Sequence, residues 1–344
     1  MESLRVVQQY LPGFVLPLVR LCIWLVLLSI IFVPLERLFA VRPQAIFRKQ
    51  VGADLGYYFL SGLVPSLLLG TPLAVLAWSA HALLPDSIGI AVTHWPTWLR
   101  VVAALVIGEI GFYWGHRWSH QVPLLWQFHA IHHSAEHVDW LVNTRAHPVD
   151  MIFTRLCGLV PLYVLGLAAP LGGSASVIPV IVLLLGTIWG FFVHANVHWR
   201  FGRLEWLLAT PAFHHWHHTN DGPAYVDKNY AAMLPWIDRL FGTFYLPGDK
   251  RPARYGTDHP VPSSLFEQLL GPFMPRLPVS PHSVELELAP VPGEPRTLVG
   301  SPATSDLDFR LGNAAADDLP HQGTPIAPRA VAPNVPFSRP TRPR

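Results

Sequence analysis

Charge is what this sequence has least of: only 13% of its 344 residues are Asp, Glu, Lys or Arg, where soluble domains carry roughly 25%. With 51% hydrophobic residues and a mean hydropathy of +0.33, that deficit excludes an ordinary soluble domain and points to a membrane protein. A basic patch is also missing. The net charge is +2, and Lys and Arg lie scattered between apolar stretches, which excludes nucleic acid as a partner. Cysteine is nearly absent: Cys22 and Cys157 each sit inside an apolar run, so neither a disulfide framework nor a cysteine-based zinc site can be assembled. No nucleophile elbow, P-loop or dinucleotide fingerprint occurs, which removes acyl transfer, phosphoryl transfer and direct nicotinamide binding.

What is present begins with long apolar runs. The first, from Phe14 to Leu35, is long enough to span a hydrocarbon core of about 30 Å, with Arg20 placed to snorkel. Pro34, Glu36 and Arg37 end it where a signal peptide would need small residues, so it reads as a first transmembrane helix. Arg37, Arg42, Arg48 and Lys49 then mark the first loop as cytoplasmic and put the N-terminus outside. The run from Leu55 to Leu84, with Pro65 and Pro72, is either one kinked span or a re-entrant pair. A turn region from Pro85 to Pro96 leads to a third helix, roughly Trp98 to Gly115. Met151 to Ala169 and Val177 to Val193, separated by Leu171-Gly172-Gly173-Ser174, read as a helical hairpin that returns the chain to the same side.

The expected architecture is therefore all-α, a multi-pass bundle of about 4–6 membrane helices capped by a cytoplasmic, histidine-rich helical metal site. Residues 1–270 form the membrane-embedded catalytic domain, in which Leu265, Phe266, Leu269 and Leu270 suggest one short amphipathic helix. Residues 271–344, rich in Pro, Ala and Ser without periodicity, read as a disordered cytoplasmic tail.

Histidine is the outlier, with 18 copies, of which 13 fall between His116 and His218. Four clusters stand out: His116 and His120; His129, His132 and His133; His194 and His198; His214, His217 and His218. On a helix the spacings i, i+3 and i+4 put side chains on one face, so each cluster can offer two or three imidazoles to a common point. Ten imidazoles exceed the capacity of one metal ion and suit two, with about five each; iron, zinc, copper and nickel all accept such ligands. A lone HxxxH is more often a surface or capping pair; four clusters flanking membrane helices are not explained that way. A hydrolytic zinc site would want HExxH, and the first cluster reads His116-Arg117-Trp118-Ser119-His120, with no glutamate. The rival from another class is a histidine-rich metal transporter, although transporters keep their ligands near the membrane midplane.

The clusters and their surroundings resemble the fatty acid hydroxylase and sterol desaturase superfamily of membrane di-iron enzymes. Phe112-Tyr113-Trp114-Gly115-His116-Arg117-Trp118-Ser119-His120 looks like its first histidine box, and Leu125-Trp126-Gln127-Phe128-His129-Ala130-Ile131-His132-His133-Ser134 like its second. Trp140 to Pro148 resembles the stretch that follows, and Thr210 to His218 the last box. Lys228-Asn229-Tyr230 and Asp238-Arg239-Leu240-Phe241-Gly242-Thr243 resemble its sequel, and Pro34-Leu35-Glu36-Arg37-Leu38-Phe39 is similar to bacterial members.

The resemblance implies that His116, His120, His129, His132, His133, His194, His198, His214, His217 and His218 are metal ligands. It implies two iron ions in the working enzyme, with zinc able to replace them in purified protein, and molecular oxygen as co-substrate. Hydroxylation or desaturation of a sterol, fatty acyl or related lipid drawn from the bilayer would follow. The implied location is a bacterial inner membrane, or the endoplasmic reticulum in a eukaryote, with the site facing the cytoplasm. No His-Pro-Gly-Gly motif of a fused cytochrome b5 is seen, since Val149 follows Pro148, so a separate donor of ferredoxin or cytochrome b5 type is implied.

Three further residues are candidates at the site. Glu109 lies two helical turns before His116, and a carboxylate at membrane depth is a functional candidate, as a hydrogen-bond partner behind a ligand imidazole or in a salt bridge to Arg100 or Arg155. His147, before Pro148, either acts near the site or makes a structural hydrogen bond. Asn196, between His194 and His198, either orients an imidazole or structures its loop, and the same alternatives hold for Asp227 and Asn229. His215 reads as supporting the site from behind or facing solvent, and His137 as polar surface.

Overall fold

The computed structural model describes residues 14–274 apart from 69, 84, 169–176 and 259–260. The Pro-rich tail beyond Met274 and the Leu171–Ser174 turn lie outside the described residues, while Gly271–Phe273, expected as the start of that tail, form a 3-10 turn.

Among the described residues the regular structure is helical: α1 (Val15–Phe39), α2 (Val51–Leu68), α3 (Gly70–Leu83), α4 (Asp86–Thr93), α5 (Thr97–Gln121), α6 (Pro123–His133), α7 (Pro148–Val164), α8 (Ile178–His194), α9 (Pro211–His217), α10 (Trp236–Leu240) and α11 (Leu265–Leu270). Short 3-10 turns occupy Trp140–Thr144 and Gly202–Trp206. Helices α1 and α5 each have 25 residues, with hydropathies of 2.6 and 1.3, and are long and apolar enough to cross a membrane. At about 1.5 Å per residue, each exceeds a hydrocarbon core of about 30 Å. The α1 surface exposes Ile23, Trp24, Val26, Ile30 and Ile31, a face suited to lipid and not to water.

The Leu55–Leu84 run, expected as one kinked span or a re-entrant pair, forms two helices, α2 and α3. Two boundaries differ from the sequence expectation. The Pro85–Pro96 region is not simply a turn but carries α4. Helix α5 does not stop at Gly115; it continues through His116 and His120 to Gln121, with Val122 capping it in an extended conformation, because Pro123 disfavours helix in the residue before it and is itself suited to the first position of α6.

Helices α5 and α7 pack closely, and glycine makes it so. A Cβ at Gly111 would collide with the Cys157 carbonyl, and one at Gly115 would come within 2.9 Å of Cys157 Sγ. Small residues at this four-residue spacing let two helix backbones approach. The approach brings the C-terminal turns of α5, bearing His116 and His120, against the N-terminal turn of α7. Elsewhere, the Glu36 carboxylate at the end of α1 accepts the backbone N–H groups of Trp140 and Asn196, both at 2.8 Å, tying α1 to the segments around the second histidine block.

Candidate metal centre

Two sets of histidine nitrogens gather in the structure. His116, His120, His129, His133 and His217 form group one; His132, His194, His214 and His218 form group two; within each, the candidate ligand atoms lie within 4.8 Å of one another. Helix α5 supplies His116 and His120, α6 supplies His129, His132 and His133, α8 ends in His194, and α9 with its C-cap supplies the rest. The adjacent histidines of α6 serve different groups, His132 facing one and His133 the other. The sites are dry: His116, His129, His133, His194 and His214 are each 4% exposed.

The outer nitrogens define the chemistry of the inner ones. His116 Nδ1 meets the Tyr230 carbonyl at 2.7 Å, His132 Nδ1 that of Arg145 at 3.0 Å, His194 Nδ1 that of Gly190 at 2.7 Å and His217 Nδ1 that of Lys228 at 2.9 Å. A carbonyl can only accept, so each of these Nδ1 atoms carries the proton and each Nε2 presents a lone pair. His129 Nδ1 donates to Asp150 at 3.0 Å, and His120 Nδ1 to Asp227 at 3.1 Å.

Inside, His116 Nε2 stands 3.2 Å from His129 Nε2, and His132 Nε2 3.3 Å from His194 Nε2. Between His132 and His194, whose Nδ1 atoms both carry the proton, lone pair faces lone pair. The Nε2 atoms of His120, His133 and His217 are buried with no hydrogen-bond partner. Buried polar groups are rarely left so, and a cation among the rings is the species that satisfies them. Burial, reinforced by the neighbouring imidazoles, holds the His132, His133, His214, His217 and His218 rings well below the usual histidine range, so they are neutral at pH 7 and available as ligands. The donor set is wholly nitrogen, which fits iron, zinc, copper or nickel and not calcium or magnesium.

His198 is not brought to either group. Helix α8 ends at His194, the chain leaves it in an extended conformation at Ala195, and the i, i+4 relation is lost. His198 instead presents Nδ1 to the Phe39 carbonyl at 2.8 Å and is exposed. Glu109 does not reach an imidazole: its Oε1 accepts from the backbone N–H groups of Met233 and Leu234, free donors just ahead of α10. His147 caps α7, accepting from Val149 N at 3.1 Å, and its Nε2 bonds the Leu269 carbonyl of α11 at 3.1 Å. Asn196 pairs with the backbone of Arg42, donating to its carbonyl at 2.8 Å. All three act on the backbone around the centre. His215 is buried, with Nε2 on the His194 carbonyl at 3.3 Å and Nδ1 accepting from Tyr255 at 3.0 Å. His137 is exposed.

Some residues that support the site are not marked by any sequence pattern. Asp150 holds both His129 and Ser119, the latter at 3.0 Å. Arg145 lends its carbonyl to His132 while its side chain lies in a buried array in which Asp54 pairs with Arg145 and, at 2.7 Å, with Arg48, and Arg48 pairs with Asp139 at 2.6 Å. An isolated Arg or Asp between histidine boxes carries no periodic signal; the one available cue was a charged residue inside a segment otherwise due for burial.

The sequence model of the family described as Fatty acid hydroxylase matches residues 101–243, the stretch that holds both groups. Ornithine lipid hydroxylase OlsE of Rhizobium tropici is 36% identical over 184 residues, 52% of each chain. Alkylglycerol monooxygenase is 33% identical over 171 residues in Danio rerio, 48% of this chain and 34% of that one, and 34% identical over 154 residues in Homo sapiens, 44% and 32%. The matches thus span about half of the first relative and a third of the others. No solved structure matches.

Proposed function

We propose that this chain, whose residues 101–243 match the Fatty acid hydroxylase family, is a multi-pass membrane oxygenase that hydroxylates a C–H bond of a membrane lipid. The observation that carries the reading is the pair of buried histidine groups whose ring nitrogens converge, three of them without any hydrogen-bond partner. Two iron ions held there would supply dioxygen activation and the redox change that breaking an unactivated C–H bond requires.

The chain's own residues do the rest. The carbonyls of Tyr230, Arg145, Gly190 and Lys228, with Asp150 and Asp227, fix ring orientation and raise ligand basicity. Glu109, His147 and Asn196 serve as positioning residues for the backbone that carries these groups. Burial excludes bulk water from the reacting centre, and the apolar helices give a bilayer lipid its approach. A basic first loop argues for a site on the cytoplasmic side, where a separate one-electron donor of ferredoxin or cytochrome b5 type can dock. The catalytic domain comprises residues 1–270. The names of the relatives favour hydroxylation over desaturation and a polar or ether lipid as substrate class.

The test is expression in a host grown under isotopically labelled dioxygen, followed by mass spectrometry of its lipids. The expected result is one lipid species carrying a single labelled oxygen, absent when His133 and His214 are both replaced by Ala. A chain that binds metal reversibly, consumes no oxygen with reductant and lipid, and moves metal across vesicles would instead be a transporter.

A further inference from the structure

The apolar side of α8 does not end where the helix ends. Val180, Leu184 and Ile188 are exposed at four-residue spacing and make one stripe along it. The next position on the stripe, Phe192, is half-buried and meets the ring of Phe201 at 6.1 Å. Past His194 the chain therefore folds back to the foot of its own helix. There, around the Gly202–Trp206 turn, Phe201, Leu204, Trp206 and Leu207 all stand exposed, Trp206 by 61%.

Glu205 makes the turn present that face. It is buried, and its carboxylate accepts from Arg200 Nη2 at 2.8 Å and from Phe201 N at 3.0 Å, so the acid points inward and the apolar side chains outward. Exposed Leu240 of α10 extends the patch, and its neighbour Arg239 lays its guanidinium over the Trp206 ring at 3.4 Å. Arg203 is an exposed cation of the same turn. Five large apolar side chains standing out together make a poor surface for water. With a tryptophan and an arginine among them, they have the composition of the hydrocarbon–headgroup boundary, where tryptophan seats and basic side chains meet anionic lipid.

We propose that residues 201–207 and Leu240 form an interfacial foot, seated in the bilayer leaflet around the His194 end of α8, with Arg203 among anionic headgroups. The inference rests on the multi-pass membrane reading above. The occupant is lipid because the patch is continuous with the α8 stripe, so whatever covers one shares an edge with whatever covers the other. The foot is also tied to group two. Ala209, two residues past Leu207, accepts from Trp189 Nε1 of α8 at 3.1 Å and gives its own N–H to the Met233 carbonyl at 2.8 Å. Phe213, packed with Ala209 and Val193, immediately precedes His214. The foot thereby sets the height of group two against the bilayer.

The test uses full-length protein carrying Cys22→Ser and Cys157→Ala, in phosphatidylcholine–phosphatidylglycerol nanodiscs with and without brominated acyl chains. A nitrobenzoxadiazole reporter is attached to one introduced cysteine at a time: Leu204→Cys or Leu207→Cys in the foot, Leu184→Cys on the α8 stripe, and Asp258→Cys at an exposed polar position. All four sites are on the surface, so the reporter displaces nothing buried. The foot reporters are expected to be quenched by brominated chains several-fold more than the one at position 258, and to be shielded from aqueous iodide. Arg203→Glu should lower that quenching in discs containing phosphatidylglycerol and leave it unchanged in phosphatidylcholine alone. Foot reporters quenched no more than the one at position 258, while the one at position 184 is quenched, overturn the foot. Shielding from iodide without bromine quenching, the mark of a protein or second copy on the patch, overturns it as well. If the reporter at position 184 is itself not quenched, the membrane reading fails and the foot with it.

Discussion

The two histidine groups are built from the same residue type and buried alike, yet their backing differs. Group one has two carboxylates behind it, Asp150 on His129 and Asp227 on His120, besides carbonyls on His116 and His217. Group two has carbonyls alone, on His132 and His194, while the Nδ1 atoms of His214 and His218 are buried without a partner. A carboxylate makes an imidazole more basic and holds its ring more firmly than a carbonyl does. Group one is thereby the tighter site, and group two the one whose ion exchanges first.

Removing a ligand from each group separates them most strongly. His133→Ala should empty group one and His214→Ala group two, each lowering metal content by one ion per chain and abolishing lipid oxidation, as measured by elemental analysis and product assay. Next comes the support beneath group two. Asp54→Ala leaves the buried Arg145 and Arg48 short of their partner, and breaking such an array costs about 3–5 kcal/mol. The melting temperature should fall, and group two, whose His132 hangs on the Arg145 carbonyl, should lose its ion before group one does.

Smaller still is the effect on group one of its own carboxylates. Asp150→Asn should weaken metal binding there by roughly 10–100-fold, as loss of such a partner commonly does. Asp227→Asn should cost less, because its side chain is 58% exposed; a chelator competition series would rank the two. A separate lever, acting on the whole fold, is pH. The five rings held well below 6.5 by burial stay neutral in the folded state, whereas in the unfolded chain they take up protons as pH falls through about 6.5. The unfolded state then binds more protons, so metal-free protein should lose stability between about pH 7 and pH 5. Bound metal, which holds the rings deprotonated, should deepen that acid loss while raising stability at pH 7, and melting curves with and without metal would show it.

Much of this arrangement was legible because helical periodicity is written in the sequence. The i, i+3 and i+4 spacings lie on real helices at α5, α6 and α9, and the apolar pair α7 and α8 does return the chain to the first histidine block. The same rule failed at His198, because nothing in the spacing reveals that α8 stops at His194. Glu109 shares the periodicity of His116 but serves the N–H groups before α10. Asp150 and Arg145 were invisible as partners, since their link to the ligands exists only once α5, α6 and α7 pack. Lys228-Asn229-Tyr230 and Asp238 to Thr243 stood out by resemblance alone. Their physical reason is three-dimensional: the Lys228 and Tyr230 carbonyls hold His217 and His116, and Asp238 takes the N–H groups of Tyr230 and Ala231 at 2.8 and 2.9 Å.

The central claim is that two separate nitrogen nests each hold an ion. Elemental analysis of protein purified from membranes without chelator tests it most directly, with His133→Ala and His214→Ala measured alongside. The account predicts two ions per chain, falling to one in either variant. A single ion in the parent protein, or both ions lost together in each variant, would contradict it.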